Sequence, residues 1–281
     1  VGGGKFVLIG LSSIFFPRDN VEVSVRKIAS LGADCVEINC DLPHFPPGPI
    51  DEGKVKRLGD ALRETGLTSS LHSSFFELNL GSGYPELREL SHSRVKECID
   101  LSSFLGSSPI VIHPGYFPSF EPELRSKAKE RFMEDLEVLL TYAKARGVKL
   151  ALENIQSPYF FGFEFTEMLS ICSSLSLPFC LDIGHAYIMQ GICGNSNKEY
   201  EIARGIDKLS PFLSHIHIHD NHGLKDEHLG VGEGNIDFSP IVEAIRRVGF
   251  EGKIINEGWE GTEDVSFKFS NLRKLFDLAW C

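Results

Sequence analysis

Short apolar runs alternate along the chain with longer segments in which apolar residues recur every three to four positions. The runs are KFVLIGL (Lys5 to Leu11), DCVEI (Asp34 to Ile38), LTSSLH (Leu67 to His72), PIVIH (Pro109 to His113), VKLALE (Val148 to Glu153), PFCLD (Pro178 to Asp182), FLSHIHIH (Phe212 to His219) and GKIINE (Gly252 to Glu257). Most are too uniformly apolar for a sheet with one wet face, so they predict parallel strands covered on both sides. Helical spacing marks 51–64, 86–105, 121–146, 199–209, 238–248 and 264–280. Gly66, Gly106, Gly147 and Gly249 stand just past four of these segments, where a residue that accepts positive φ ends a helix at little cost. Strands alternating with helices predict βαβ units, and eight units predict closure. The expected fold class is therefore α/β, a single (β/α)8 TIM barrel, with 1–281 as one domain. An open doubly wound sheet is the alternative, and the lack of a glycine-rich phosphate loop after the first run counts against it.

Three irregular stretches stand out. Pro43-His44-Phe45-Pro46-Pro47-Gly48-Pro49 reads as a stiff loop after the second strand, and 191–196 reads as another loop. The longest irregular segment, 220–237, follows strand seven, on the face where long loops shape barrel active sites.

Ionisable residues fall at the ends of the runs. His72, His113, Glu153, Asp182 and Glu257 close strands three, four, five, six and eight; His185 follows Asp182 by three residues, and His217 lies near the end of strand seven. In a closed barrel these positions ring one mouth. So many imidazoles and carboxylates in one buried place are costly unless protons or a cation balance them, and a divalent metal does so. Zinc and manganese accept this mixture of nitrogen and oxygen donors, whereas magnesium prefers oxygen. Asp226 and His228, in DEHLGVGEGNIDF, can both turn toward one ion, with Gly230, Gly232 and Gly234 allowing a tight path. Alternation puts His215, His217 and His219 on one face of strand seven, and the pattern leaves open which of them is a ligand. Asp220 and His222 read as supporting or surface groups. Phe15-Phe16, Tyr159 to Phe163, and Trp259 read either as pocket walls or as packing. Lys5, Lys149 and Lys253, near strand starts, read as solvated residues of the far face.

Composition narrows the class. The 281 residues suit one large domain, and 42% hydrophobic content supplies a sizeable core. A net charge of -11 argues against broad affinity for a polyanion, although a local basic patch or bound metal could supply what the overall charge lacks. Seven cysteines, an odd number without a CxxC pair, predict reduced and buried thiols in a cytoplasmic protein. No charged-then-apolar leader is apparent, the apolar runs are strand-sized, and no membrane association is expected. Val1 to Gly4 reads as a flexible end.

With ALENIQ, CLDIGHA, HIHIHDN and INEGWEG in place, the chain resembles the xylose-isomerase-like TIM-barrel superfamily. That group includes sugar (phosphate) isomerases and epimerases, inosose dehydratases and nucleases of the endonuclease IV type. The resemblance covers strands three to eight by motif and the first two units by pattern alone. In its isomerase and epimerase branch it implies one divalent metal on Glu153, Asp182, His217 and Glu257. Glu153 and Glu257 would then be the acid/base pair, and His185 would contact substrate oxygens. In its endonuclease IV branch it implies up to three zinc ions, with His72, His113, His185, Asp226 and His228 as additional ligands. Two features depart from that branch: strand one reads IGLSSIFF, and Phe75 and Phe76 stand where a tyrosine is expected.

Three functions follow as expectations. The first is a zinc- or manganese-dependent isomerase or epimerase of a small sugar, sugar phosphate or related polyol ketone. It would work by proton transfer through an enediolate, with the same carboxylates also able to support dehydration. The second is a zinc phosphodiesterase acting at abasic DNA sites, for which Arg18 and Lys225 are the nearest basic groups. The third is a non-catalytic metal- or ligand-binding barrel. A homodimer is the prior for its assembly.

Overall fold

The computed structural model describes residues 7–45, 51–117, 119, 121–261 and 263–280, the last three without their side chains. Val1 to Lys5 and Pro46 to Pro49 of the sequence reading lie outside the described residues. Eight strands run β1 Val7–Ser12, β2 Cys35–Asn39, β3 Thr68–His72, β4 Ile110–Ile112, β5 Leu150–Glu153, β6 Phe179–Asp182, β7 Leu213–Ile218 and β8 Gly252–Asn256. All pair in parallel with their sequence neighbours, and β1 closes on β8 from Val7↔Gly252 to Leu11↔Asn256. The expected (β/α)8 barrel is the observed fold.

The helices are α1 Val21–Ser30, α2 Glu52–Thr65, α3 Pro85–Leu105, α4 Pro122–Lys144, α5 Phe165–Leu175, α6 Ile183–Ile192, α7 Lys198–Leu209, α8 Ser239–Arg247 and α9 Val265–Trp280. Their ends have local chemical causes. Asp51 caps α2 by accepting from the amides of Gly53 and Lys54, and Gly66 ends it at φ 69°. α1, α5 and α6 were not among the expected helices, and α6 takes in Gly191 and Ile192, so the loop read there is shorter than expected.

Alternation along the strands separates two environments. Ile9, Leu11, Val36, Ile38, Leu71, Ile110, Ile112, Leu150, Leu152, Phe179, Leu181, Ile216, Ile218 and Ile254 join the main core with the helices. Val111, Ala151 and Cys180, one step out of phase, form a separate small cluster inside the barrel. The inner positions are thus small or polar, which leaves room for longer polar side chains toward the mouth. Burying each large aliphatic residue of the outer set contributes about 1.5–3 kcal/mol, so the helix–strand layer carries the stability and the inner column is free for chemistry.

Several surface readings change. Lys253 is not solvated: its Nζ donates to the carbonyl of Ser108 at 2.6 Å, and burial pushes its pKa down. Lys149 is exposed as expected. Cys35, Cys40, Cys98, Cys172 and Cys180 are buried free thiols, but Cys193 is exposed. Phe15 packs in the core with Phe16 against it. Among the described residues, no helix is long and apolar enough to cross a membrane.

Candidate metal centre

The inward column of the strands converges at the C-terminal mouth. Glu153, at the end of β5, is the hub. Its Oε2 lies 3.3 Å from Nε2 of His72 and 3.3 Å from Nε2 of His113, while its Oε1 lies 3.3 Å from Nδ1 of His185 and 3.4 Å from Nδ1 of His217. Glu257, immediately after β8, reaches the same His217 Nδ1 at 3.5 Å through Oε2. Asp182 ends β6 and caps α6: its Oδ1 accepts from the His185 amide at 2.6 Å, which fixes both residues relative to the helix start. The loop after β7 brings Asp226 within 3.2 Å of His185 Nε2 and 3.2 Å of His228 Nε2.

Each sequence-derived site residue is therefore brought to this mouth. Among the described residues, ligand atoms within 4.8 Å of one another form four groups: Glu153, Asp182 and His217; His72, His113 and Glu153; His185, His219, Asp226 and His228; and Glu37, His215 and His217; Glu257 stands beside the first through His217. The chemistry suits a cation, because Asp182 Oδ2, His217 Nδ1, His219 Nε2 and Asp226 Oδ1 are buried polar atoms with no hydrogen-bond partner. Such orphans are expensive unless a ligand satisfies them.

Four of the imidazoles are oriented in one way. Nδ1 lies 3.0 Å from the Ser73 carbonyl in His72, 3.0 Å from that of Asn154 in His185, 3.4 Å from that of Asp220 in His219, and 3.0 Å from that of Glu257 in His228. A carbonyl only accepts, so Nδ1 carries a proton in each of the four, which leaves Nε2 as the nitrogen that could meet a cation. His228 holds this orientation from a left-handed backbone, φ 47°, with its ring stacked between His219 (4.1 Å) and Trp259 (3.9 Å). Trp259 thus supports a candidate ligand.

The two glutamates differ electrostatically. Burial pushes both upward. For Glu153 the imidazoles of His217 and His113 overcome this and hold it well below the usual carboxylate range. For Glu257 the His217 imidazole offsets burial only in part, the Glu153 charge adds to it, and the pKa rises to about 7. Glu257 thus holds a proton more tightly than Glu153 does.

Two contributors, Glu37 and Asn154, were missed in the sequence, and a third, His219, was left open there beside His215 and His217. Glu37, fully buried in the middle of β2, touches both His215 and His217. His219 lies 3.2 Å from Asp182 and 3.5 Å from Asp226. Asn154 ties β5 to β6. The available signal was the period of two: Glu37 and His219 both belong to the inward phase. Of the residues left open, Asp220 is buried and accepts from the amides of Asn221, Gly232 and Ile236, folding the long loop. His222 is an exposed partner of Glu227 at 3.0 Å. Arg18 and Lys225 are exposed. Phe161 and Phe163 pack in the core. Phe160, with Phe75, Tyr116, Ser73 and Ser74, lines a cavity of about 120 Å³ beside His113.

The chain is similar to known proteins in sequence and in fold. An uncharacterised protein of Methanocaldococcus jannaschii is 29% identical over 259 residues, covering 89% of this chain and 84% of the relative. The 3-dehydro-D-guloside 4-epimerase of Escherichia coli is 22% identical over 273 residues, covering 95% of each. A probable endonuclease 4 of Mesomycoplasma hyopneumoniae is 29% identical, but over 178 residues and 58% of each chain. A crystal structure of a D-tagatose 3-epimerase-like protein superposes with a TM-score of 0.83 at 26% identity, covering 97% of this chain and 98% of the other. The family model of the xylose isomerase-like TIM barrel matches residues 25–275, and the chain belongs to that family.

Proposed function

We propose that the chain is a divalent-metal-dependent epimerase or isomerase acting on a small sugar, sugar phosphate or related polyol ketone. The observation that carries this reading is the pair Glu153 and Glu257, which approach one imidazole nitrogen at 3.4 and 3.5 Å from β5 and from the end of β8. The near-complete coverage of sugar epimerase relatives supports it.

Glu153, Asp182, His217 and Glu257 would hold the cation, zinc or manganese. When bound, it would polarise a carbonyl and stabilise negative charge on the adjacent oxygen. Glu153 or Glu257 takes the proton from the carbon next to the carbonyl, giving an enediolate, and the other returns a proton to the opposite face. His185, whose Nε2 lies 3.2 Å from Asp226, orients substrate oxygens. The cavity beside His113 takes the part of the substrate remote from the reacting carbons, between Phe75 and the Tyr116–Phe160 pair. A cytoplasmic setting fits the five buried free thiols.

A second reading has its own observation. The groups His72–His113–Glu153 and His185–His219–Asp226–His228 offer room for further ions, as a phosphodiesterase of abasic DNA would need. One experiment separates the two. Metal-loaded protein is incubated with a panel of ketoses, ketose phosphates and 3-keto-glycosides, and in parallel with an abasic-site duplex. The expected result is interconversion of sugar epimers or isomers and an intact duplex. Strand cleavage without sugar turnover would reverse the assignment.

A further inference from the structure

His217 is held differently from the four imidazoles that lie against backbone carbonyls. It is Nδ1, not Nε2, that faces Glu153 and Glu257, at 3.4 and 3.5 Å. Its Nε2 points back into the barrel, 2.8 Å from Oε1 of Glu37. His72, His185, His219 and His228 lie against backbone carbonyls, whereas His217 has a carboxylate from β2, on another part of the barrel wall.

Glu37 is itself held. Its Oε2 accepts from Ser70 Oγ at 2.9 Å and lies 2.8 Å from His215 Nε2, and all of these side chains are buried. Oε1 is the oxygen left over, and neither it nor His217 Nε2 has an aligned hydrogen bond. A small rotation of the imidazole about its Cβ–Cγ bond, of the kind that ligation through Nδ1 imposes, would point the Nε2–H at Oε1. Glu37 also sits where its charge can deepen the basicity of Nδ1, which a carbonyl does less strongly.

We propose that Glu37 is a positioning residue that fixes His217 in the tautomer with Nδ1 free to bind a divalent cation, and that Ser70 and His215 lock Glu37 for this task. The proposal rests on the reading of His217 as a ligand. Replacing Glu37 by Gln sets an amide NH2 against one of the imidazole or hydroxyl donors around it. Either His217 or His215 must then exchange tautomers, and the charge is lost in both cases.

Two measurements test it. In the zinc-loaded wild-type protein labelled with 15N-histidine, the His217 ring is expected to show a proton on Nε2 and a metal-bound Nδ1. In Glu37→Gln, zinc affinity by chelator competition is expected to fall about 10- to 100-fold, the usual effect of losing such a partner, with the helical circular dichroism unchanged. Binding of zinc through His217 Nε2 would overturn the proposal without any variant, and so decides the matter even if Glu37→Gln does not fold. Zinc affinity of Glu37→Gln within twofold of wild type would also overturn it. A wild-type chain that binds zinc without His217 contradicts the reading of His217 as a ligand, and the role of Glu37 with it.

Discussion

The side chain of Asn154 pairs with the backbone of Asp182 in both directions: Nδ2 donates to the Asp182 carbonyl at 2.9 Å, and Oδ1 accepts from the Asp182 amide at 2.9 Å. An amide side chain thus continues the ladder between β5 and β6 beyond Glu153 and sets where Asp182 presents its carboxylate. Asn154→Asp replaces the donor by an oxygen facing the carbonyl. Loss of this buried bond is expected to cost roughly 1–3 kcal/mol in urea denaturation and to weaken metal binding at least tenfold by chelator competition. Unchanged metal affinity would show that Asp182 does not need this clamp.

Gly184 tests the placement of His219. A Cβ at Gly184 would stand 2.1 Å from His219 Cε1 and 2.3 Å from Nε2, and His219 is fully buried. In an exposed helix, Gly→Ala would stabilise by about 1 kcal/mol. Here Gly184→Ala is expected to destabilise by about 1–3 kcal/mol through overpacking and to lower the metal content of the purified protein. A more stable variant with full metal content would mean that His219 does not lie against α6.

Asp135 supplies a pH signature away from the mouth. It binds the Gly81 amide at 2.7 Å and pairs with Arg88 and His92, tying α4 to the loop and helix after β3. Burial raises its pKa, but His92, Arg88 and the Gly81 amide outweigh this and hold it at about 2, below its usual 3.8. A depressed carboxylate pKa gives stability that is complete above the unfolded value and fades as pH falls from about 4 toward 2. Asp135→Asn is expected to lose on the order of 3 kcal/mol at pH 7, with the gap to wild type narrowing below pH 4. A gap that stays constant from pH 7 to pH 3 would contradict this.

The barrel and most of its mouth were legible because two patterns alternate in the sequence. Uniformly apolar runs mark the parallel strands, helical spacing marks the segments between them, and the carboxylates Glu153, Asp182 and Glu257 stand out where three of the runs end. Glu37 escaped because it lies in mid-strand, where only pairing with β7 across the barrel reveals a purpose. The helices that escaped have equally physical reasons. α6 is buried at every position from Ile183 to Gln190, so it has no amphipathic stripe to read. α1 begins Val-Glu-Val-Ser-Val, a spacing of two that reads as strand until the β1 and β2 layers enclose it. Lys253 was misplaced because its inward phase was overlooked near a strand start.

The most direct measurement of the proton-transfer claim follows solvent deuterium into a ketose turned over by the metal-loaded protein. Deuterium is expected at the carbon next to the carbonyl. The label should disappear on chelation and return with zinc or manganese. It should fall by at least a hundredfold in Glu257→Gln, since general acid–base groups contribute about 10²–10⁴ in rate. Turnover that carries no solvent deuterium, or labelling that persists in both Glu153→Gln and Glu257→Gln, would contradict proton transfer between these two carboxylates.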